Sequence, residues 1–349
     1  MRLPDLFTPG SKLVVGFSGG QDSTCLLHAL VHSRRGLHVT AAHVDHALRA
    51  DSAESARRVA DSAAALGVAC VVRRVDVGAY RAGLPGWSVQ QAARAARYQA
   101  LASVVREQSA AALLVAHTAD DQAETLLLNL VRGAGLQGLA GMRLEEVIDV
   151  RRLGPPAPGL GTGSEILRLA RPLLKVPRAT TLAYCTQLGL TIVEDASNQT
   201  RTFTRNRVRL DLLPALETFN PAIRSVLARA ADLVAEDLAA LEAVVVELDA
   251  GLRRDHRYDL RRWRAQPRAL QRRLLRRGIE SLVGELTDVR AAPVDDALDV
   301  LQTGQANQSY HLPYGVEMIV ERDSFSLRLH GRARHRERPN TWEVEAPRV

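Results

Sequence analysis

From Lys12 to about Leu169, short apolar runs alternate with longer stretches in which apolar residues recur at helical spacing. Lys12–Phe17, His38–Val44, Val68–Val75 and Leu113–Ala116 are short and rich in Val and Leu, the pattern of strands buried on both faces. Between them, Asp22–Val31, Asp51–Leu66 and Ser88–Glu107 predict helices with Ala/Arg/Gln-rich solvent faces. This alternation implies an α/β fold, a doubly wound parallel sheet with helices on both sides. Gly154–Gly163 (GPPAPGLGTG) predicts a mobile surface loop, and a smaller strand–helix block follows from Ile166 to Val193. Near Asn220–Pro221 the pattern shifts. Pro221–Leu252 predicts one long helix and Leu260–Val283 a second, very basic one. Asn307–Leu329 turns extended, with a turn at Leu312–Gly315 and a hairpin of Val316–Val320 and Phe325–Leu329. The chain thus divides into 1–215, a smaller and mainly helical 216–332 with a terminal β-hairpin, and a flexible tail at 333–349.

At 349 residues, with 46% hydrophobic and 24% charged, the chain is long enough for two domains with a real core. Its longest apolar runs, such as Ala110–Ala116, fall short of the roughly 20 residues of a membrane span. No basic, apolar, small-residue leader opens it, so neither membrane nor secretion is expected. Cys25, Cys70 and Cys185 have no CxxC spacing, which argues against a disulfide scaffold or zinc ribbon and suits a reducing cytosol. A net charge of +7 favours a polyanionic partner. Nearly all of the cations are arginines, and they thicken in Arg201–Arg209 and Arg253–Arg277. Aromatics at 4% are too few for a single-strand stacking platform.

The first strand runs into Ser18-Gly19-Gly20-Gln21-Asp22-Ser23, and a helix begins at once. Adjacent glycines let the backbone turn tightly and approach a ligand, and the helix N-terminus adds free N–H groups and a positive dipole end. Together they predict a phosphate site, with hydroxyls from Ser18 and Ser23. The spacing is neither that of a Walker A loop nor that of a dinucleotide fingerprint. The second strand ends in HVDHALR (His43–Arg49) and the fourth in AHTADDQAET (Ala116–Thr125). Ligands of open parallel sheets bind beyond the strands' carboxyl ends, so these clusters converge on one crevice, although His43 or His46 taken alone reads as a helix cap or solvated loop. The histidines lack the spacing of structural zinc ligands. Asp121 and Glu124, three apart, share a helix face. Two acids opposite a phosphate site are solvated, bind Mg²⁺, or bind a cationic substrate. Arg94 and Arg97 lie on one side of a helix, either as a solvated face or facing a ligand. The glycine-dense Arg132–Met142 is a helix end or a close-approach surface.

The series SGGQDS, HVDHALR, ARAARY, AHTADDQAET, RGAGLQGLAGM, Arg171-Pro-Leu-Leu174, Glu194-Asp-Ala-Ser-Asn198, and Thr204-Arg-Asn-Arg207 followed by Leu212-Leu-Pro214 has an order of its own. From about Lys12 to Pro214 it resembles the tRNA(Ile)-lysidine synthase family of PP-loop (N-type) ATP pyrophosphatases. The resemblance implies a PP-loop catalytic domain at 1–215 and a tRNA-contacting domain after it. Longer members carry a further C-terminal domain, which this chain is expected to lack. The implied reaction joins L-lysine to C2 of the wobble cytidine of tRNA(Ile) with a CAU anticodon. ATP first adenylates the cytidine, and lysine then displaces AMP. By matching motifs, Ser18, Gly19, Gly20, Gln21, Asp22, Ser23, His43 and His117 hold ATP, and Asp22 positions Mg²⁺. Arg49 and Arg97 stand near the reacting groups, and Asp121 and Glu124 receive the lysine ammonium. Arg94, Arg97, Arg132, Arg201, Arg205, Arg207, Arg272 and Arg276 are expected to touch tRNA. The resemblance implies a cytoplasmic enzyme and leaves a homodimer open. A sulfur-inserting relative would need suitably placed cysteines, and a glutamine-dependent synthetase an amidotransferase domain. A non-catalytic RNA binder would not need the acid pair.

Overall fold

The computed structural model describes residues 3–33, 35–49, 51–160, 166–193, 201, 204–254, 256–284, 291–303 and 307–330. Glu194–Asn198, the later part of the Pro/Gly-rich stretch and the tail at 333–349 lie outside them. The chain divides between Ala235 and Glu236 into two compact units.

In the first unit, β1 (Lys12–Gly16), β2 (His38–Asp45), β3 (Cys70–Arg74), β4 (Ala112–Leu114), β5 (Glu145–Asp149) and β6 (Ile166–Ala170) form one sheet in the order β3-β2-β1-β4-β6-β5. All neighbours are parallel except β5 on β6. β1 sits centrally, with Val15 opposite both Ala41 and Leu114. Its residues alternate between two cores. Leu13 and Val15 pack with Leu26, Leu27, Val59 and Ala63 from α1 (Gln21–Val31) and α2 (Ser52–Ala65) on one face. Val14 packs with Tyr98, Leu101 and Val104 on the other.

After the short α3 (Val77–Ala82), those last residues belong to α4 (Val89–Glu107), whose start is locked by a capping box between Ser88 and Gln91. The expected Ala/Arg/Gln solvent face of α4 is divided by the fold: Ala92, Ala95, Ala96, Ala100 and Ala102 are buried. β5 escaped the hydrophobic pattern because Glu145, Glu146 and Asp149 interrupt it, as charges often do on an edge strand. The loop expected to be mobile is anchored in its first part. Tyr80 Oη donates to the Pro155 carbonyl at 2.6 Å, and Gln99 Oε1 accepts from Ala157 N at 2.8 Å.

Next come α5 (Ala119–Val131), α6 (Leu136–Leu139) and α7 (Arg178–Gln187). A helical stretch then combines α8 (Thr204–Arg207), a wider π segment (Val208–Leu212) and α9 (Leu213–Phe219). Pro214 has no N–H to return to the preceding turn, a physical reason for the wider winding there.

The unit division falls inside α10 (Ile223–Leu252). In the second unit the expected single basic helix is two, α11 (Leu260–Arg264) and α12 (Arg268–Val283), because Pro267 starts the second. The predicted hairpin belongs to a larger antiparallel sheet. Its strands are β7 (Arg253–Arg254), β8 (Arg257–Asp259), β9 (Gln308–Leu312), β10 (Val316–Val320) and β11 (Ser324–Leu329), in the order β7-β8-β11-β10-β9. Phe325 on β11 stacks on Tyr258 at 4.9 Å and meets Trp263 edge-on at 4.7 Å. With α13 (Ala291–Thr303) supplying Val294, Leu298 and Leu301, these rings form that unit's own core. Among the described residues, no helix is long and apolar enough to cross a membrane.

Candidate active site

The chain leaves β1 for β2 on one side and later returns to β4 on the other. Between β1 and β4 the winding reverses, which opens a crevice at their carboxyl ends. The loop after each strand borders it.

After β1, Gly19 has φ +76°. A Cβ there would stand 3.0 Å from two atoms of Val193, whose N–H donates to the Gly19 carbonyl at 2.9 Å. Both the conformation and the space demand glycine. The turn closes on itself through hydroxyls. Ser18 Oγ and Ser23 Oγ are 3.1 Å apart, and Ser23 Oγ donates to the Gly20 carbonyl at 2.9 Å. Gly20 caps α1 without a side chain, so the helix N-terminus is not covered by a capping side chain.

After β4, Thr118 begins α5. Its N–H and Oγ1 both donate to Asp121 Oδ2, at 2.9 and 2.8 Å. One oxygen of Asp121 therefore holds its own helix start, and Oδ1 faces the crevice. Asp120, beside it, acts as a brace, accepting from Arg178 N at 2.8 Å and from Arg224 Nη1 at 3.2 Å.

Arg178, first residue of α7, joins the two loops. Its Nε donates to Asp22 Oδ2 at 3.1 Å and its Nη2 to Asp121 Oδ1 at 3.3 Å, while Nη1 lies 3.9 Å from Glu124. Thr181, one turn on, donates to the other oxygen of Asp22. Arg205 and Arg209 are four apart on one helical face. Arg205 gives Nε to Glu124 at 2.9 Å and Nη2 to Asp121 at 3.0 Å. Arg209 gives Nε to Glu124 at 2.6 Å. Three carboxylates, Asp22, Asp121 and Glu124, thus meet three guanidiniums, Arg178, Arg205 and Arg209. The balance is required because the Glu124 side chain is 0% exposed, and a buried carboxylate without cations is expensive.

The site's titrations follow from this packing. Burial pushes the Asp22 carboxyl up, and the Asp121 charge adds to the rise against the pull of Arg178 and Thr181. For Asp121, burial also pushes upward, but Arg178, His117, Arg205 and the Thr118 N–H outweigh it and hold the carboxyl below its ordinary range. Burial, with Arg97 and His43 beside it, lowers His46 to about 4. Its Nδ1 is buried and has no hydrogen-bond partner among the described residues.

The crevice thus brings together Asp22, Asp121 and Glu124, and His117 lies beside Asp121, Arg205 and Arg97. His43 Nδ1 pairs with the Phe17 carbonyl at 2.9 Å and braces the turn. Gln21 donates to Arg178 O and Thr181 Oγ1, each at 2.9 Å, and to Asp22 Oδ1 at 3.4 Å. Arg205, expected on RNA phosphates, points inward because the buried acids demand it. Arg94 and Arg97 lie 4.9 and 5.3 Å from the Tyr98 ring. Arg49 stands at the surface 3.5 Å from Asp51, Arg201 bonds Asp211 at 2.9 Å, and Arg132 and Arg207 are exposed. In the second unit, Arg272 is held by Asp295 at 2.7 Å, and half-buried Arg276 makes no ion pair among the described residues. Arg178, Thr181 and Arg209 were not anticipated. Only Arg209 left a signal, its helical spacing from Arg205.

Fold and crevice together define a PP-loop protein, and residues 2–216 match the PP-loop domain family. Over 325 residues the chain is 41% identical to the tRNA(Ile)-lysidine synthase of Salinispora tropica, covering 91% of this chain and 90% of that one. That of Gloeobacter violaceus is 40% identical over 282 residues, 80% of each chain. That of Dehalococcoides mccartyi is 34% identical over 330 residues, 92% of this chain and 67% of the relative. The chain belongs to the tRNA(Ile)-lysidine synthase family of ligases. Among solved structures, the U34-tRNA thiolase NcsA of Methanococcus maripaludis shares the fold, with a TM-score of 0.50 and 16% identity over 67% of this chain and 74% of that one.

Proposed function

We propose that this chain joins L-lysine to C2 of the wobble cytidine (position 34) of tRNA(Ile) with a CAU anticodon, at the expense of ATP. The observation that carries the reading is the meeting of Asp22, at the glycine turn, with the acid pair Asp121 and Glu124 through Arg178. One flank suits a phosphate chain, and the other suits an amine.

The cytosine O2 attacks the α-phosphorus of ATP and pyrophosphate leaves. The lysine ε-amine then bonds to C2, the C2–O2 bond breaks with its electron pair going to AMP, and the ammonium's protons pass to bases or water. A carbonyl oxygen leaves poorly, and adenylation makes it a good leaving group. The N–H groups at the start of α1 receive phosphate oxygens. Among the described residues no group of three His, Cys, Asp or Glu could hold a metal by itself. Mg²⁺ is usually held by one or two carboxylates together with substrate phosphates, and Asp22 is the carboxylate at the turn that would hold it. When bound, Mg²⁺ would supply charge neutralisation on the phosphates.

A lysine ammonium, with an ordinary pKa of about 10.4, enters charged and must lose a proton before it attacks. Asp121 stays ionised to receive it. Three guanidiniums already neutralise these acids, so the ammonium exchanges with one of them. Arg205 is the most exposed, at 37% against 28% for Arg178 and 23% for Arg209. Arg49 and Arg97 serve the reacting groups, and Arg94, Arg132, Arg201 and Arg207 serve RNA phosphates, which position the RNA while the splayed base is read directly. These substrates place the work in the cytoplasm. Sulfur transfer is disfavoured, because Cys25, Cys70 and Cys185 have no CxxC spacing and two of them, Cys25 and Cys185, are buried.

The test is AMP release from ATP with RNA alone, with lysine alone, and with both, followed by capture of radiolabelled lysine in the RNA. Release that requires an RNA with C34, and label in that RNA, is the expected result. Release indifferent to the RNA would refute the reading.

A further inference from the structure

Arg171 lies just after β6, in the Arg171-Pro-Leu-Leu174 motif, and is buried. Its Nη1 donates to the Arg143 carbonyl at 2.7 Å and its Nη2 to the Glu146 carboxylate. The remaining Nε donates to Nδ1 of His117 at 3.2 Å. A guanidinium has no acceptor, so the ring nitrogen facing it must be the bare one. The neutral imidazole then carries its proton on Nε2. His117 is faced by Asp121 from α5, Arg97 from α4, Arg205 from α8 and Arg171 itself. Among the described residues nothing accepts the Nε2 proton. Burial, reinforced by the three guanidiniums and opposed by Asp121, pushes the imidazole down to about 3. The ring is neutral at ordinary pH.

We propose that Arg171 is a positioning residue, which by binding Nδ1 locks His117 as an Nε2–H donor to a phosphate oxygen of the bound nucleotide. The inference rests on the ATP-dependent reading above. Without Arg171, the ring can move its proton to Nδ1, and Nε2 then turns a lone pair toward the phosphate and repels it. Arg171 bonds three partners from three segments, so its arrangement is rigid, and only the Nε bond bears on a group that reaches the crevice.

The test uses the full chain. Nitrogen-15 NMR of His117 reads tautomer and titration, and steady-state AMP release reads KM for ATP and for RNA. In the wild type, His117 should show Nε2–H and no titration over about pH 5–8, where an unperturbed imidazole titrates. Arg171→Met should mix the tautomers and raise KM for ATP by ~10- to ~100-fold, the range for removing a partner that orients a metal-ligating histidine, with KM for RNA unchanged. Arg171→Lys keeps a donor and should keep the tautomer. Glu146→Gln should change neither readout, which separates the imidazole bond from bracing of β5. An Nδ1–H wild type overturns the proposal, as does Arg171→Met with the wild-type tautomer and KM. If the wild type makes no RNA-dependent AMP, the functional reading fails and the proposal falls with it. An active wild type whose tautomer ignores residue 171 overturns the proposal alone.

Discussion

Arginines crowd both units, but they do different physical work in each. In the first, Arg178, Arg205 and Arg209 close on Asp121 and Glu124, whose side chains are 8% and 0% exposed. In the second, Arg268 pairs with Asp299 at 2.7 Å, Arg273 with Glu242 and Arg257 with Glu321, all with partners that water reaches. Arg328 on Glu317, 6% exposed, and Arg277 on Asp249, 14% exposed, are its exceptions. The guanidinium is the same, but the dielectric around its partner is not. Breaking a buried pair by removing one member costs ~3–5 kcal/mol, whereas an exposed pair is worth ~0–1 kcal/mol. Arginine density therefore says little about function until the burial of the facing carboxylate is known.

The sharpest way to break this contrast is Glu124→Ala. It leaves Arg205 and Arg209 without their main partner, and the expected loss is ~3–5 kcal/mol of unfolding free energy in urea titrations. A loss below about 1 kcal/mol, the scale of an exposed pair, would mean that the acid cluster is solvated after all.

Next in size is Asp22→Asn. Removing the charge at the turn should cut AMP formation by at least ~10²-fold, the scale of losing a charge-stabilising group, while RNA affinity stays nearly intact. Lost RNA binding with retained turnover would remove Asp22 from the nucleotide side.

The pH dependence of stability is a third, milder probe. The Asp121 pKa is depressed in the fold, so its stabilising share is present above its unfolded value, about 3.9, and disappears as pH falls through the folded value. Melting temperature against pH should therefore drop on the acid side in the wild type and less steeply in Asp121→Asn. Parallel curves would contradict the assignment.

In the second unit the effects shrink. Charge reversal at Arg276 should weaken RNA binding and flatten its salt dependence, by about one unit of log–log slope for each phosphate no longer neutralised. Reversal at Arg272, already held by Asp295, should do less. An unchanged slope for both would make α12 a solvated helix. Smallest of all, Asp299→Ala should change stability by no more than ~1 kcal/mol.

Much of the first unit was legible in the sequence because its signals are local. The strands from β1 to β4 are short apolar runs, the glycine turn is contiguous, and Asp121 and Glu124 sit one helical turn apart. β5 was not legible, since an edge strand with three acids has no apolar run to betray it. The break at Pro267 carried a local signal, a proline inside a helical pattern, whereas the growth of the hairpin into five strands depends on partners distant in the chain.

The site shows the same division. Chain chemistry by itself determined the glycine turn, the acid pair and the placement of both after strand ends, because backbone sterics and helical periodicity act over a few residues. Only the tertiary structure decided that Arg178 bridges Asp22 and Asp121, that Asp120 is a brace, and that Arg205 and Arg209 face inward. Those outcomes turn on which carboxylates lose their water, and desolvation is a property of everything packed around a group, not of its neighbours in sequence.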